Sequence, residues 1–537
     1  MQEENLKSID REMADFYRKL RKELFIPSAE YINSLKSIIQ GLRIKTTQAK
    51  VKHCNRKEKS CLLIDHVLEL LDSIEITIEE NLRHPSKFIR GLGYRIYSIV
   101  FDERKSIDDK LVEISNIVDK MAEFYGALLE ITRKARDERI KRAIVTAEGL
   151  VKDIENMTEN LLNESRKAGH VDKGKYFNII QKLCIIGSYV SSYVREANAI
   201  IGKERDVLED IPYEIYVEKK YRLPLKWIVK WHEKELRSSI DRFKEMACAI
   251  DPTRDPIEVL KSTIHVSYST PEEMFNDMKK FLEIARDHAS KYIDLPQDIV
   301  CEVTGVREFE KDIYPMGYAG VPDPLEKETK CMIALNQYNY RAFSRGWLMM
   351  MAIHEAYYGH NIHWIKVGLA DIPESFKIPS DIGSPLAEGL AHRGEELLQD
   401  IYGDKSFPPL VAWRRVHTAL RVYIEINMFL YNKITPEDAV KLYMNIMGFD
   451  EQTAKGLVEA HLENRGYNLC YLAGYKMIEE YRSKLRDLDE KTFSNTLFSA
   501  GFISIRNVKK VLDIKEDMPW EKDYYFLLVY DLFLKHI

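Results

Sequence analysis

The stretch MMMAIHEAYYGHNIHW, residues 349–364, sets His354-Glu355, His360 and His363 behind an apolar run, with Gly359 among them. Imidazoles and a carboxylate at this density are the donor set of a hydrolytic metal centre. Such a centre needs two or three neutral imidazoles, usually a carboxylate ligand, an open position for water and a base beside it. The familiar solution, HExxH, puts both histidines on one helical face. Here His354 and His360 are six residues apart, a rotation of about 240° on a regular helix, which separates the rings. A break or bulge at Tyr357-Tyr358-Gly359 would bring His360 back, and such distortions collect at functional sites. The other reading is two ordinary, partly buried histidines with hydrogen-bond partners. The short motif alone leaves both open.

Two later stretches add to the first. IGSPLAEGLAHRGEELLQD opens at a Ser-Pro helix start and aligns Glu388, His392 and Glu395 on one face. A glutamate on a separate helix is the usual third ligand of this class of site, although an acidic stretch is more often a solvated face. In RGYNLCYLAGYKMIEEYR, Tyr471 precedes Gly474. A tyrosine hydroxyl near a metal stabilises the oxyanion of a tetrahedral intermediate; without a metal, Tyr471 is a core aromatic. The loop from Tyr314-Pro315 through Tyr318 to Gly320 is expected near the pocket, where its glycines either admit a substrate strand or make a tight connection. Arg414, Arg415 and Arg421 follow the second stretch, either as partners for a substrate carboxylate or as an exposed helix face.

These residues need a scaffold, and the chain predicts a helical one. At 537 residues it exceeds the usual size of a single core, so two domains are expected. Its composition, 45% hydrophobic and 31% charged, is that of a soluble globular protein. A net charge of −5 gives no reason to expect nucleic acid or an anionic membrane as partner. The seven cysteines are scattered, and Cys54 and Cys61, the closest pair, lack a CxxC spacing. No disulfide framework is expected, and a reducing, cytoplasmic setting fits better. The opening MQEENLKSIDREM is charged where a signal peptide would be apolar, and the longest apolar stretches are too short to span a bilayer.

Apolar residues such as Leu63, Val67, Leu70, Leu71, Ile74 and Ile78, or Leu111, Ile114, Val118, Met121, Tyr125 and Leu128, recur at three- and four-residue steps. They predict an antiparallel helical array over residues 1–212. Two prolines within 210–225 mark a boundary to a second region, 213–537. CEVTGVRE and CMIALNQ predict a small sheet over about 300–336. The expected class is mainly α with a minor β element.

At this point HEAYYGHNIH, EGLAHRGEEL and YNLCYLAG resemble, in order, the motifs HEAYPGHHLQ, EGWALYAEEL and QALSYKIG of the zinc-peptidase-like domain of unknown function 885 family. The resemblance extends over about 213–512 and includes WRRVHTALRVYIEINMF, ITPEDAVKLYM and FSNTLFSAGFISI. It implies a gluzincin-like helical fold with a small sheet near the active site. It also implies zinc, or another divalent transition metal, held by His354, His360 and Glu388, with Glu355 as general base and Tyr471 on the oxyanion. Departures fall at Tyr358, Asn361, His363, Leu390, Arg393 and Phe429. Tyr318, Tyr358, His363, His392, Arg393 and Arg421 are expected to meet substrate, with His363 and His392 also candidates for a supporting role at the metal.

The expected function is metal-dependent hydrolysis of an amide or peptide bond in a peptide or small-molecule substrate. Two alternatives stay open: a metal-dependent lyase or hydrolase of a specialised small molecule, and a non-catalytic helical binding protein with a vestigial site.

Overall fold

With few glycines or prolines to interrupt the apolar rhythm, the described residues among the first two hundred form seven long helices. They are α1 (Gln2–Lys22), α2 (Ala29–His53), α3 (Lys59–Asn81), α4 (Pro85–Val100), α5 (Ile107–Arg133), α6 (Asp137–Lys167) and α7 (His170–Asn198). The computed structural model describes residues 2–54, 59–102, 104–167, 170–263, 267–306 and 316–525. Tyr314 and Pro315 of the expected loop lie outside them. Local chemistry sets the helix starts: Ser106 and Asp109 close a reciprocal capping box at α5. The buried stripe of α5 runs through Ile114, Ile117, Met121, Phe124 and Leu128, so the expected Val118 and Tyr125 flank it.

These helices divide between two cores. Helices α4–α7 close around Leu92, Met121, Ile144 and Leu183. Helices α1–α3 share theirs with Ile378 and Ile382 of the second region. Polar contacts tie the same seam: Asp10 accepts the backbone N–H groups of Glu374 and Ser375, and buried Glu69 accepts from Asn507. Cys54 and Cys61 pair as a disulfide, where no disulfide framework was expected. Their spacing gave no signal, but α2 and α3 pack together, and their adjoining ends bring the two Cα atoms to 5.4 Å.

The second region opens with α8 (Tyr213–Tyr221), α9 (Leu225–Cys248), α10 (Pro256–Thr263) and α11 (Pro271–Ala289). Strands β1 (Val300–Gly305), β2 (Tyr318–Gly320) and β3 (Lys330–Leu335) form the expected small sheet in the order β1-β3-β2. β3 pairs in parallel with β1, Cys301 opposite Cys331, and antiparallel with β2. Then come α12 (Arg345–Met351), α13 (His360–Leu369), α14 (Ser384–Leu397), α15 (Phe407–Glu425) and α16 (Pro436–Met447). The last are α17 (Glu451–Glu463), α18 (Tyr467–Lys484), α19 (Glu490–Phe498) and α20 (Val508–Val511). Twenty helices against three strands among the described residues make the fold mainly α. No described helix is long and apolar enough to cross a membrane.

Helices α14 and α18 cross where two glycines face each other. A Cβ on Gly474 would lie 1.9 Å from the Pro385 carbonyl oxygen, and one on Gly389 2.5 Å from the Gly474 carbonyl carbon. Backbone in contact with backbone leaves no flexible group to yield. Gly474→Ala should therefore lower the thermal unfolding midpoint, with a cost of about 1–3 kcal/mol for forcing the helices apart. A midpoint equal to wild type would show that the crossing tolerates a methyl group.

Candidate metal centre

Helix α12 does not run on regularly into the histidines. Ala352–Ala356 is one π-helical turn, closed by the Tyr357 N–H donating to the Ala352 carbonyl at 3.0 Å. Tyr357 is extended, Tyr358 is left-handed at φ 73°, and α13 restarts at His360. A bulky side chain seldom adopts that φ without compensation. Tyr358 is fully buried, and its hydroxyl is held by Ser494 at 2.6 Å and by the Arg393 guanidinium at 2.9 Å. Gly359 has no alternative, because a Cβ there would lie 1.9 Å from the His354 carbonyl oxygen. Bulge and break together bring the rings of His354 and His360 to 4.9 Å, nearly perpendicular at 88°.

Helix α14 brings the carboxylate. Glu388 Oε2 lies 3.6 Å from His354 Nε2 and 3.5 Å from His360 Nε2. Ligand atoms around a tetrahedral zinc stand roughly 3.4 Å apart, given bonds of about 2.1 Å. Oε2 is buried without a hydrogen-bond partner, while Oε1 accepts the Tyr467 hydroxyl at 2.5 Å. An orphaned carboxylate oxygen facing two imidazole nitrogens is where a divalent ion fits.

Glu395, on the same face of α14, bonds His354 Nδ1 at 2.7 Å and lies 3.1 Å from His392 Nδ1. The first contact fixes the His354 ring so that Nε2 faces Glu388, as a carboxylate behind a ligating histidine does. His354, His392 and Glu395 are also close enough to form a second ligand group. Their facing atoms are already engaged with one another, so they make a support. Burial disfavours a charged His354, but Glu388 and Glu395 outweigh it and push its pKa up to about 10. Glu388 is raised by burial yet held well below the carboxylate range by His360 and His354. Burial also lowers His392, to about 4, and leaves it neutral.

The cluster opens onto a cavity of about 600 Å³ whose wall includes Glu355, His360, Glu388 and Tyr467. Across from them stand Tyr17 of α1 and Leu70, Thr77 and Asn81 of α3. The helical array, which carries no recognisable motif, thus supplies one side of the pocket. Ala319 and Val321 also line it, so the loop around Tyr318 does reach the cavity.

Other expected residues are placed differently. His363 is fully buried, its ring against Phe498 and Phe502. Arg393 is buried and ion-paired to Glu479 and Glu490. Tyr358 joins Arg393 rather than the cavity, and His392 is taken by Glu395. Arg415 is spent on Glu235 and Glu396, Arg414 lies 3.8 Å from Glu395, and Arg421 stacks over the Tyr471 ring at 5.0 Å. Tyr471 stands edge-on to His392 and Tyr467, one turn beyond the tyrosine that bonds Glu388. Sequence reading assigned no role to Tyr467 or Glu395. The available signals were spacings: Tyr467 lies four residues before Tyr471, and Glu395 seven after Glu388.

Fold and cluster together define a mainly helical protein with a buried two-imidazole, one-carboxylate centre. The chain belongs to the family described as "Bacterial protein of unknown function (DUF885)", which matches residues 213–512. No curated protein matches it. Its fold is similar to the crystal structure of "the putative lipoprotein from Colwellia psychrerythraea", with a TM-score of 0.77, 12% identity and coverage of 96% of this chain and 99% of that one. It is also similar to "a putative lipoprotein of unknown function from Shewanella oneidensis", with a TM-score of 0.73, 14% identity and coverage of 95% and 99%. At these identities the likeness is one of fold.

Purified protein should carry near-stoichiometric divalent metal by elemental mass spectrometry, and His354→Ala and Glu388→Ala should both lose it. Glu395→Gln should weaken metal affinity about 10–100-fold while leaving all three ligands in place. Unchanged affinity in Glu395→Gln would show that His354 needs no support from behind.

Proposed function

We propose that this protein is a metal-dependent hydrolase of amide or peptide bonds, with a gluzincin-like centre formed by His354, His360 and Glu388. The observation that carries the reading is the unpartnered Glu388 oxygen facing both imidazoles on the wall of a cavity that Glu355 also lines. A divalent ion bound there, with zinc the best match to two imidazoles and a carboxylate, supplies Lewis acidity toward water and the scissile carbonyl.

The chain's own residues supply the proton chemistry and the positioning. Glu355, half-buried on the π turn beside His354, accepts a proton from the attacking water. Oxygen–carbon bond formation is followed by cleavage of the carbon–nitrogen bond, and Glu355 returns the proton to the departing amine. Tyr467 pins one oxygen of Glu388 and so aims the other at the imidazoles. Tyr471 offers a hydroxyl for the developing oxyanion. Burial pushes its pKa well up, so that it remains a neutral donor. Residues of α14, α18, α1 and α3 wall the cavity in which the substrate would be held.

The test separates chemistry from metal binding. Wild type and Glu355→Gln are loaded with zinc and incubated with N-acylated amino acids and short peptides, with products read by mass spectrometry. Glu355→Gln should keep its metal and lose about 10²–10⁴-fold in turnover, the usual contribution of a positioned general base. Wild-type turnover in the metal-replete variant would rule out Glu355 as base. Metal-bound wild type that cleaves nothing in the panel would reject amide hydrolysis and favour a different reaction at the same centre.

A further inference from the structure

The cavity at the metal centre does not end at its own wall. Tyr17, Leu20, Phe25 and Asn81 also line a second, larger cavity of about 990 Å³ between α1, α4 and the loop after β2. The two cavities adjoin along these four residues, an apolar and amide-bearing neck. The outer part is rich in cations, and nearly all are neutralised in place. Arg18 lies 2.7 Å from Glu374, Arg21 3.6 Å from Asp323 and Arg95 2.8 Å from Glu113. Arg104 lies 3.0 Å from Asp102, and Lys105 2.6 Å from Glu113.

Lys87 is the exception among the described cations of that wall. Its ammonium donates to the Asn464 side-chain oxygen at 2.9 Å, and no described carboxylate lies within ion-pair distance of it. It sits in the first turn of α4, which has no acidic residue and no side-chain cap, so the local backbone field is positive as well. Two carboxylates act on Lys87 from nearby, and both are engaged elsewhere: Asp381, on the inner cavity wall, lies 3.7 Å from buried Lys220, and Glu463 lies 2.6 Å from Arg90. Burial and the neighbouring Lys220 charge lower the Lys87 pKa to about 8, against the opposing pull of Asp381 and Glu463. A half-buried ammonium with spare donors, on the wall of a cavity adjoining that of the metal cluster, has the chemistry of an anion subsite.

We infer that Lys87 binds the free carboxylate of the substrate, across the Tyr17–Leu20–Phe25–Asn81 neck from the metal centre. The substrate class is then a short peptide, N-acylated or free, whose C-terminal carboxylate stands at least one residue beyond the amino acid released at the scissile bond. The neck takes the intervening residue against Leu20 and Phe25, and Asn81 is available to its amide. The protein then acts near the C-terminus of short peptides, and interior bonds of long chains are excluded because the carboxylate they lack is the anchor. This substrate class rests on the hydrolase reading above, whereas the carboxylate subsite itself can be tested without turnover.

The experiment uses the full chain, zinc-loaded, in the Glu355→Gln background so that ligands survive. Calorimetry measures binding of a series of N-acetyl dipeptides with varied side chains, each as the free acid and as its C-terminal amide, with inorganic phosphate as a third ligand. Free acids should bind about tenfold or more tighter than their amides, the scale of one charge-assisted hydrogen bond. Adding Lys87→Gln should bring the acid-to-amide ratio close to one, and Lys87→Arg should restore most of it. A ratio unchanged by Lys87→Gln, or no binding of any acid in the series, overturns the subsite. Phosphate binding that depends on Lys87 and exceeds that of every acid overturns the carboxylate assignment. Turnover on the Glu355 wild-type background separates the two readings: Lys87-dependent acid binding without cleavage rejects the hydrolase and keeps the subsite, while cleavage with no Lys87 dependence does the reverse.

Discussion

The backbone at Gly359 lies against the carbonyl of His354 with no room for a Cβ, and the rest of the centre depends on that contact. A regular helix would point His360 away from His354. The π turn at Ala352–Ala356 and the left-handed Tyr358 together fold the chain back within three residues. Strain of this kind persists only when the surroundings over-determine it. Here the clamp is visible: Tyr358 is buried whole and bonded to Arg393, which is held in turn by Glu479 and Glu490. Two of the departures from the family's motifs, Tyr358 and Arg393, are therefore partners in one structural unit that stabilises the turn.

Charge explains why the carboxylates around the cluster are arranged as they are. Glu388 and Glu395 are both buried; His354 and His360 face the first, and His354 and His392 the second. Buried carboxylates without compensation would be very costly. His354 meets both of them, and this contact keeps its proton bound well above the ordinary imidazole range. A divalent cation at Glu388 would take over that compensation and release the proton, since ligation requires the neutral imidazole. Glu395 would then remain behind the ring as an acceptor from Nδ1, the role its 2.7 Å contact already defines.

The N-terminal helices are part of the site as well as of the fold. Their core is joined to the 378–382 segment, and the same packing sets Tyr17, Leu70 and Thr77 opposite the cluster. The pocket is thus bounded by elements more than two hundred and fifty residues apart in sequence. Its shape is a property of the docked pair, and neither region forms the cavity alone.

The sequence by itself determined the helical class and the small sheet at 300–336, which follow from periodicity and are local. It put His354, Glu355, His360 and Glu388 forward as one site only through the motifs that resemble the family's, and the structure brings His354, His360 and Glu388 together. Even the distortion at Tyr357–Gly359 was legible, because a six-residue spacing and a glycine admit few other ways to converge. Tertiary structure alone decided that Tyr467 bonds Glu388, that Glu395 backs His354, that Arg393 braces Tyr358, and that α1 and α3 wall the pocket. It also brought Cys54 to Cys61. The physical reason is the same in each case. Spacing along one helix reports which side chains share a face, but the partner of that face is set by how helices cross. At α14 and α18 that crossing depends on Gly389 meeting Gly474, a contact between residues 85 positions apart that no local pattern encodes.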